Sequence, residues 1–203
     1  MNNNQIQFLK LLFNEGETVC VSHNKFAYHS IAQDELSQGS TLLISNNEDL
    51  NPESVRFKDI NLISINPISG YKNDANCTAF RSFLVEVDNM ALEAQRRYIE
   101  DDLRLPASSC VASGNKSYHY VITLDKDLPN ADVYRFYAQW ILNICSQADQ
   151  NTKYPSCCTR FPDNIRHDGK NQDIIHIGSR VSQEDLFRWI YKWENHKPIQ
   201  HRR

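Results

Sequence analysis

Two carboxylates stand two residues apart in Phe83-Leu84-Val85-Glu86-Val87-Asp88, in strict alternation with apolar neighbours. Along a strand, residues two apart share a face. Glu86 and Asp88 therefore project to one side, while Val85 and Val87 point into the core. Carboxylates held this close repel each other unless a cation lies between them. Mg²⁺ or Mn²⁺ takes hard oxygen ligands of this kind. The same alternation also fits an amphipathic strand with a polar, solvated face.

A second cluster is Ser113-Gly114-Asn115-Lys116-Ser117-Tyr118-His119-Tyr120. Gly114 and Asn115 suit a tight turn, and Ser117 and His119 share one face of the strand that follows. With Lys116 they offer a hydroxyl, an imidazole and an ammonium beside a turn, a set suited to phosphate. A plain hairpin with a polar outer face has the same pattern. The third cluster runs from Asp149 to Arg166. Asp149 follows a helical segment where the returning chain can bring it back to the sheet. Arg160 and Arg166 flank the stiff pair Phe161-Pro162, and Arg binds phosphate oxygens bidentately. A polar loop with incidental charges is the other reading.

The elements that must position these groups are legible from periodicity. Residues 5–13 carry Ile6, Leu9 and Phe13 at helical spacing and stop near Gly16. Thr18 to Ser22, Thr41 to Ser45 and Ile60 to Ile65 are short β-prone runs. The acidic strand is followed by Asn89, the expected cap of a helix from Met90 to Leu103. Ser109 to Ala112 and Ser117 to Thr123 read as paired strands. Residues 131–147 form the clearest helix, its apolar face read as Val133, Phe136, Tyr137, Trp140 and Ile144. A strand at Asp173 to Ile177 precedes a last helix, opened by Ser182 and Asp185 in a capping box. Phe136, Tyr137, Trp140, Trp189 and Trp193 are the expected aromatic core, the two C-terminal tryptophans as packing. This mixed order predicts an α+β fold.

Composition bounds the function classes. The 203 residues are 40% hydrophobic, enough for a real core, and the loop from Ser45 to Pro52 is the nearest thing to a linker. Residues 1–152 hold 12 Lys and Arg against 19 Asp and Glu, a net −7, whereas residues 153–203 hold 10 against 6, a net +4. The whole chain is thus no generally basic nucleic-acid binder, but its C-terminal quarter suits phosphates. The six cysteines form no CxxC pair, and Cys157, Cys158 and His167 match no known zinc module. The polar start Met1-Asn2-Asn3-Asn4 and the lack of a long apolar run predict an intracellular, cytoplasmic protein with reduced thiols and no membrane partner.

Taken in order, the clusters resemble the archaeo-eukaryotic primase (AEP) superfamily, in particular the primase domains of phage and plasmid replication proteins. The resemblance rests on Glu86-Val87-Asp88, on Ser117-Tyr118-His119 behind Ser113-Gly114-Asn115-Lys116, on Asp149, and on Pro155-Ser156, Arg160-Phe161-Pro162 and Arg166. Gln95 and Gln172 also look like members of this pattern. It spans about Phe83 to Trp189. Glu86 stands where Asp is more usual, and Asp163 where related chains often have Gly.

The resemblance implies an RRM-like catalytic sheet, residues 81–203, packed with a second small α/β module, residues 1–80, as one primase-like domain. It implies a metal-dependent nucleotidyltransferase, a DNA primase or primase-polymerase, using Mg²⁺ or Mn²⁺, nucleoside triphosphates and a single-stranded DNA template. A replicative helicase is an implied partner, whether the chain stands alone or is part of a primase-helicase. Glu86, Asp88 and Asp149 are the implied metal ligands, with Asp163 as substitute third carboxylate. Lys116, Ser117, His119, Arg160 and Arg166 are the implied nucleotide-binding residues. A metal-dependent nuclease built on the same carboxylates, or a non-catalytic replication module that binds nucleic acid, are the competing readings.

Overall fold

The computed structural model describes residues 1–22, 29–32, 42–45, 52–55, 60–166 and 168–195. The loop at 46–51, His167 and the basic tail at 196–203 lie outside the described residues.

Helix α1 (Asn3–Leu12) opens on a capping box. The Asn2 side chain accepts the Gln5 N–H at 2.9 Å, and Gln5 Oε1 accepts the Asn2 N–H at 3.0 Å, which satisfies two of the amides left over at a helix start. Five strands follow: β1 (Thr18–Ser22), β2 (His29–Ala32), β3 (Leu42–Ser45), β4 (Pro52–Val55) and β5 (Leu62–Ser64). Next come β6 (Ser82–Glu86), helix α2 (Leu92–Arg96), β7 (Ser109–Ala112) and β8 (Tyr118–Thr123). Helix α3 (Ala131–Ile144), β9 (Cys158–Arg160), β10 (Ile174–Ile177) and helix α4 (Gln183–Asn195) complete the order.

The fold is α+β, and the described residues form two four-stranded antiparallel sheets and a separate β3–β4 pair. The first sheet has the order β2-β1-β5-β9 and the second β10-β7-β8-β6. The second sheet is apolar on both faces. Phe83, Val85, Tyr120 and Ile122 pack with Tyr134, Ile141 and Leu142 of α3 and with Leu186, Trp189 and Ile190 of α4. Leu84, Val111 and Val121 point the other way, into a core shared with Val19, Val21 and Ile63 of the first sheet and Phe8, Leu9 and Leu12 of α1. Burying each such side chain contributes about 1.5–3 kcal/mol. The period of two thus continues from Leu84 to Glu86, and from Val121 to His119, so both functional groups lie on the inter-sheet face.

Three details depart from the sequence reading. Asn89 caps nothing: α2 begins at Leu92, after an extended Ala91 without a side-chain cap bond, and runs on as a π-helical turn over Arg97–Asp102. Glu93 in its first turn offsets the helix dipole instead. The buried stripe of α3 is Tyr134, Ala138, Ile141, Leu142 and Ile144. Phe136 is 56% exposed and lies tilted against Trp140, with ring centroids 4.2 Å apart, outside the core. The stripe is set by Tyr134, which stacks on Phe83 and donates its hydroxyl to Ser82 O at 3.0 Å. The tryptophans of α4 pack as expected, and both indole N–H groups donate to Leu103 O.

Candidate active site

Strand register brings the first groups together. β6 and β8 pair with Glu86 directly opposite His119, a separation at which cross-strand side chains meet. His119 Nε2 lies 3.2 Å from Glu86 Oε1, off the hydrogen-bond axis of the ring. Ser117, two residues earlier on the same face, donates to the same oxygen at 2.7 Å. Burial pushes the Glu86 carboxyl up. The charge of His119 beside it and the hydrogen bond from the Ser117 hydroxyl outweigh it, and the pKa falls to about 2. Glu86 is therefore ionised at any physiological pH.

Asp88 lies just past the end of β6, half-exposed, and its Oδ2 accepts from Lys116 Nζ at 2.8 Å. That bond also holds the Lys116 ammonium above the ordinary lysine range. Behind this pair the turn at Ser113 to Lys116 is tightly held. Ser113 Oγ accepts the Ser117 N–H at 3.2 Å, and Ser113 N donates to Ser117 O at 2.9 Å. Gly114 has φ +72°, and a Cβ there would meet Asn171 O at 2.3 Å. Only glycine has both the dihedral freedom and the space. Arg166 Nη1 donates to Ser113 O at 3.0 Å, and Lys170 Nζ to Asn115 Oδ1 at 3.0 Å. The far side is gripped by buried Gln95, from α2.

The first sheet supplies the opposite wall. β9 pairs with β5, placing Arg160 opposite Leu62 and Cys158 opposite Ser64. Thr159, between them, points inward and lies 3.4 Å from His119 Nδ1. The result is a cleft of about 310 Å³. Glu86, Asp88, Ser117 and His119 line it from one sheet, and Leu62, Cys158 and Arg160 from the other, with Lys116 and Arg166 at the loops. Burial keeps the Cys158 thiol neutral. Two carboxylates thus face four cationic or imidazole groups across one small space.

Glu86 and Asp88 are hard oxygen donors on a common face. Among the described residues no three His, Cys, Asp or Glu side chains converge into a ligand set. Mg²⁺ is held by one or two protein carboxylates, with waters and substrate phosphates completing its shell. The pair fits that requirement.

No protein-family model matches the sequence, and no curated protein matches it either. In fold, the chain is similar to the AEP domain of the cyanophage S-2L primase-polymerase (PrimPol). The TM-score is 0.66 at 15% identity, over 93% of this chain and 98% of that one. This chain has the AEP primase-polymerase fold.

The AEP fold brings Glu86, Asp88, Lys116, Ser117, His119, Arg160 and Arg166 into one cleft. Asp149 stands differently. Its N–H donates to Glu86 O at 2.8 Å, so its main chain abuts the acidic strand. Its carboxylate caps a short 3₁₀ turn, with Oδ1 accepting the Asn151 N–H and side-chain amide, both at 2.9 Å. It does not line the cleft. Asp163 is farther from the chemistry: Oδ2 accepts from Asn2 and Asn4 at the start of α1, and Oδ1 accepts the Ile174 N–H. Buried Gln172 donates to Asn61 O and Phe161 O, tying down the segment after β9. Ser113 is part of the second cluster read from sequence, without a role of its own beside the Gly114-Asn115 turn; Thr159 and Leu62 carry no local signal for the site.

No helix among the described residues is long and apolar enough to cross a membrane.

Proposed function

We propose that this chain is a metal-dependent nucleotidyltransferase that makes or extends strands on a single-stranded DNA template, as a primase or primase-polymerase. One observation carries the reading: Glu86 and Asp88 share a small cleft with Lys116, Ser117, His119, Arg160 and Arg166. Carboxylates for a cation, set against donors for a polyanion, are what phosphoryl transfer from a triphosphate requires. The AEP fold supports it, since the similar cyanophage protein is a primase-polymerase.

Glu86 and Asp88 would hold Mg²⁺ or Mn²⁺. Bound there, a divalent ion lowers the pKa of an attacking hydroxyl and neutralises charge on the leaving phosphate. Ser117 and His119 donate to the phosphates of the incoming nucleotide. Arg160 and Arg166 bind triphosphate or template phosphate, and Arg166 also fixes the turn through Ser113 O. Asp149, which stands outside the cleft with its Oδ1 bonded to Asn151, would serve as a third carboxylate only by turning away from Asn151. Residues 1–80 and 81–203 act together as one domain, because β9 completes the first sheet and carries Arg160 into the cleft.

The test is strand synthesis by wild type and Asp88→Asn with Mn²⁺, labelled nucleoside triphosphates and single-stranded DNA. Products from wild type alone are expected. Full synthesis by the variant, with normal metal dependence, would overturn the assignment. Degradation of labelled DNA by metal without nucleotides would move the reading to a nuclease. Failure to bind any nucleotide would move it to a non-catalytic module.

A further inference from the structure

Each carboxylate of the cleft is already engaged by its own neighbours. Glu86 Oε1 faces Ser117 Oγ at 2.7 Å and His119 Nε2 at 3.2 Å. His119 sits on a paired strand and its imidazole is almost wholly buried, with Ser117 immediately before that strand. Asp88 accepts from Lys116 Nζ at 2.8 Å, and this partner is different in kind: its side chain is 60% exposed. The Lys116 main chain is fixed, since its carbonyl accepts from Gln95 Nε2 at 2.6 Å. Only the four-carbon stem is free to move.

We infer that Lys116 is a placeholder cation: it neutralises Asp88 until a divalent ion arrives, is displaced by that ion, and then turns to the triphosphate. The inference rests on the reading of Glu86 and Asp88 as metal ligands. A divalent ion on Asp88 and an ammonium 2.8 Å from the same carboxylate repel each other. One must leave, and Lys116 leaves easily because an exposed ion pair is weak. In the absence of nucleotide, the released ammonium finds only solvent, so Lys116 opposes metal binding. With a triphosphate in the cleft, the same ammonium gains a polyanionic partner. Metal and triphosphate thus bind with positive coupling, and the coupling is reciprocal.

The two ligands should therefore respond to loss of Lys116 with opposite signs. Mn²⁺ alone, titrated by electron paramagnetic resonance, should bind Lys116→Met roughly three- to tenfold tighter than wild type. ATP at saturating Mn²⁺ should bind the same variant more weakly. Lys170→Met removes a nearby ammonium that bonds Asn115 rather than a carboxylate, and should leave Mn²⁺ affinity unchanged. Mn²⁺ affinity that is unaltered or weaker in Lys116→Met, or equally raised in Lys170→Met, would overturn the inference. Asp88→Asn separates the two levels. If it binds Mn²⁺ as wild type does, the metal-ligand reading fails. If it loses Mn²⁺ while Lys116→Met is unaltered, only the placeholder role fails.

Discussion

Gln95 grips the main chain on both sides of Ser117. Its Oε1 accepts the Tyr118 N–H at 3.1 Å, and its Nε2 donates to Lys116 O at 2.6 Å and to Met90 O at 2.8 Å. One buried side chain on α2 therefore sets where β8 begins, and with it the position of Lys116, Ser117 and His119. Gln95 is a positioning residue. Gln95→Leu leaves buried main-chain groups unsatisfied and should cost about 1–3 kcal/mol in urea unfolding. At a temperature where the variant remains folded, its ATP dissociation constant with Mn²⁺ should rise roughly tenfold. Gln95→Glu keeps the acceptor for Tyr118 but sets a carboxylate oxygen against the carbonyls of Met90 and Lys116, and should not recover that loss. A merely structural glutamine would lower stability and leave nucleotide affinity alone.

The depressed Glu86 carboxyl makes a statement about acid stability. Its pKa in the folded chain, about 2, lies below its ordinary 4.5. Glu86 therefore contributes stability that is fully present above about pH 4.5 and is lost as pH falls toward 2. The contribution is about 1–3 kcal/mol, and it depends on His119 and Ser117 beside it. Comparing wild type with Glu86→Gln by urea unfolding should show an advantage of wild type that shrinks as pH falls below about 4.5. A difference independent of pH down to 3 would mean that the carboxylate is not held ionised by its neighbours.

His119 links the two sheets, through Glu86 on one and Thr159 on the other. Thr159→Val keeps the volume but removes the hydroxyl beside Nδ1, releasing the ring from its orientation. Nucleotide KM should rise about threefold, whereas His119→Ala, which deletes the donor itself, should raise it tenfold or more. Equal effects of the two would show that the ring's presence matters less than the inter-sheet contact.

The parts of this architecture that were legible in the sequence are those written in local periodicity. Alternation in Phe83 to Asp88 placed two carboxylates on one strand face, and Gly114-Asn115 marked the turn before Ser117. Both follow from the geometry of a single strand or hairpin. What was not legible depends on distant pairing. β9 is three residues long and joins β5, nearly a hundred positions earlier. Nothing near Thr159 signals that it meets His119. The same limit explains Phe136, whose aromatic type suggested core although Tyr134 and Phe83 fix the rotation of α3. The polar face around Glu86 looked solvated because the first sheet that covers it is invisible from β6 alone.

Gly114 offers the sharpest test of how the turn is built, because a second glycine provides its control. Gly169 also has a left-handed backbone, φ +80°, but a Cβ there would meet nothing within 4 Å. Gly169→Ala should therefore cost only the conformational penalty, about 1–2 kcal/mol. At Gly114 the same penalty applies, and the added methyl also drives into Asn171 O, a backbone atom 2.3 Å away that cannot rotate aside. Gly114→Ala should cost about 1–3 kcal/mol more than Gly169→Ala. The strain falls on the turn that carries Lys116, so nucleotide affinity should drop in Gly114→Ala and hold in Gly169→Ala. Urea unfolding and ATP binding with Mn²⁺ on the same two variants read both effects. Equal unfolding costs would show that the turn and the 166–172 segment separate freely, and that Arg166 and Lys170 do not hold the phosphate-facing loop in place.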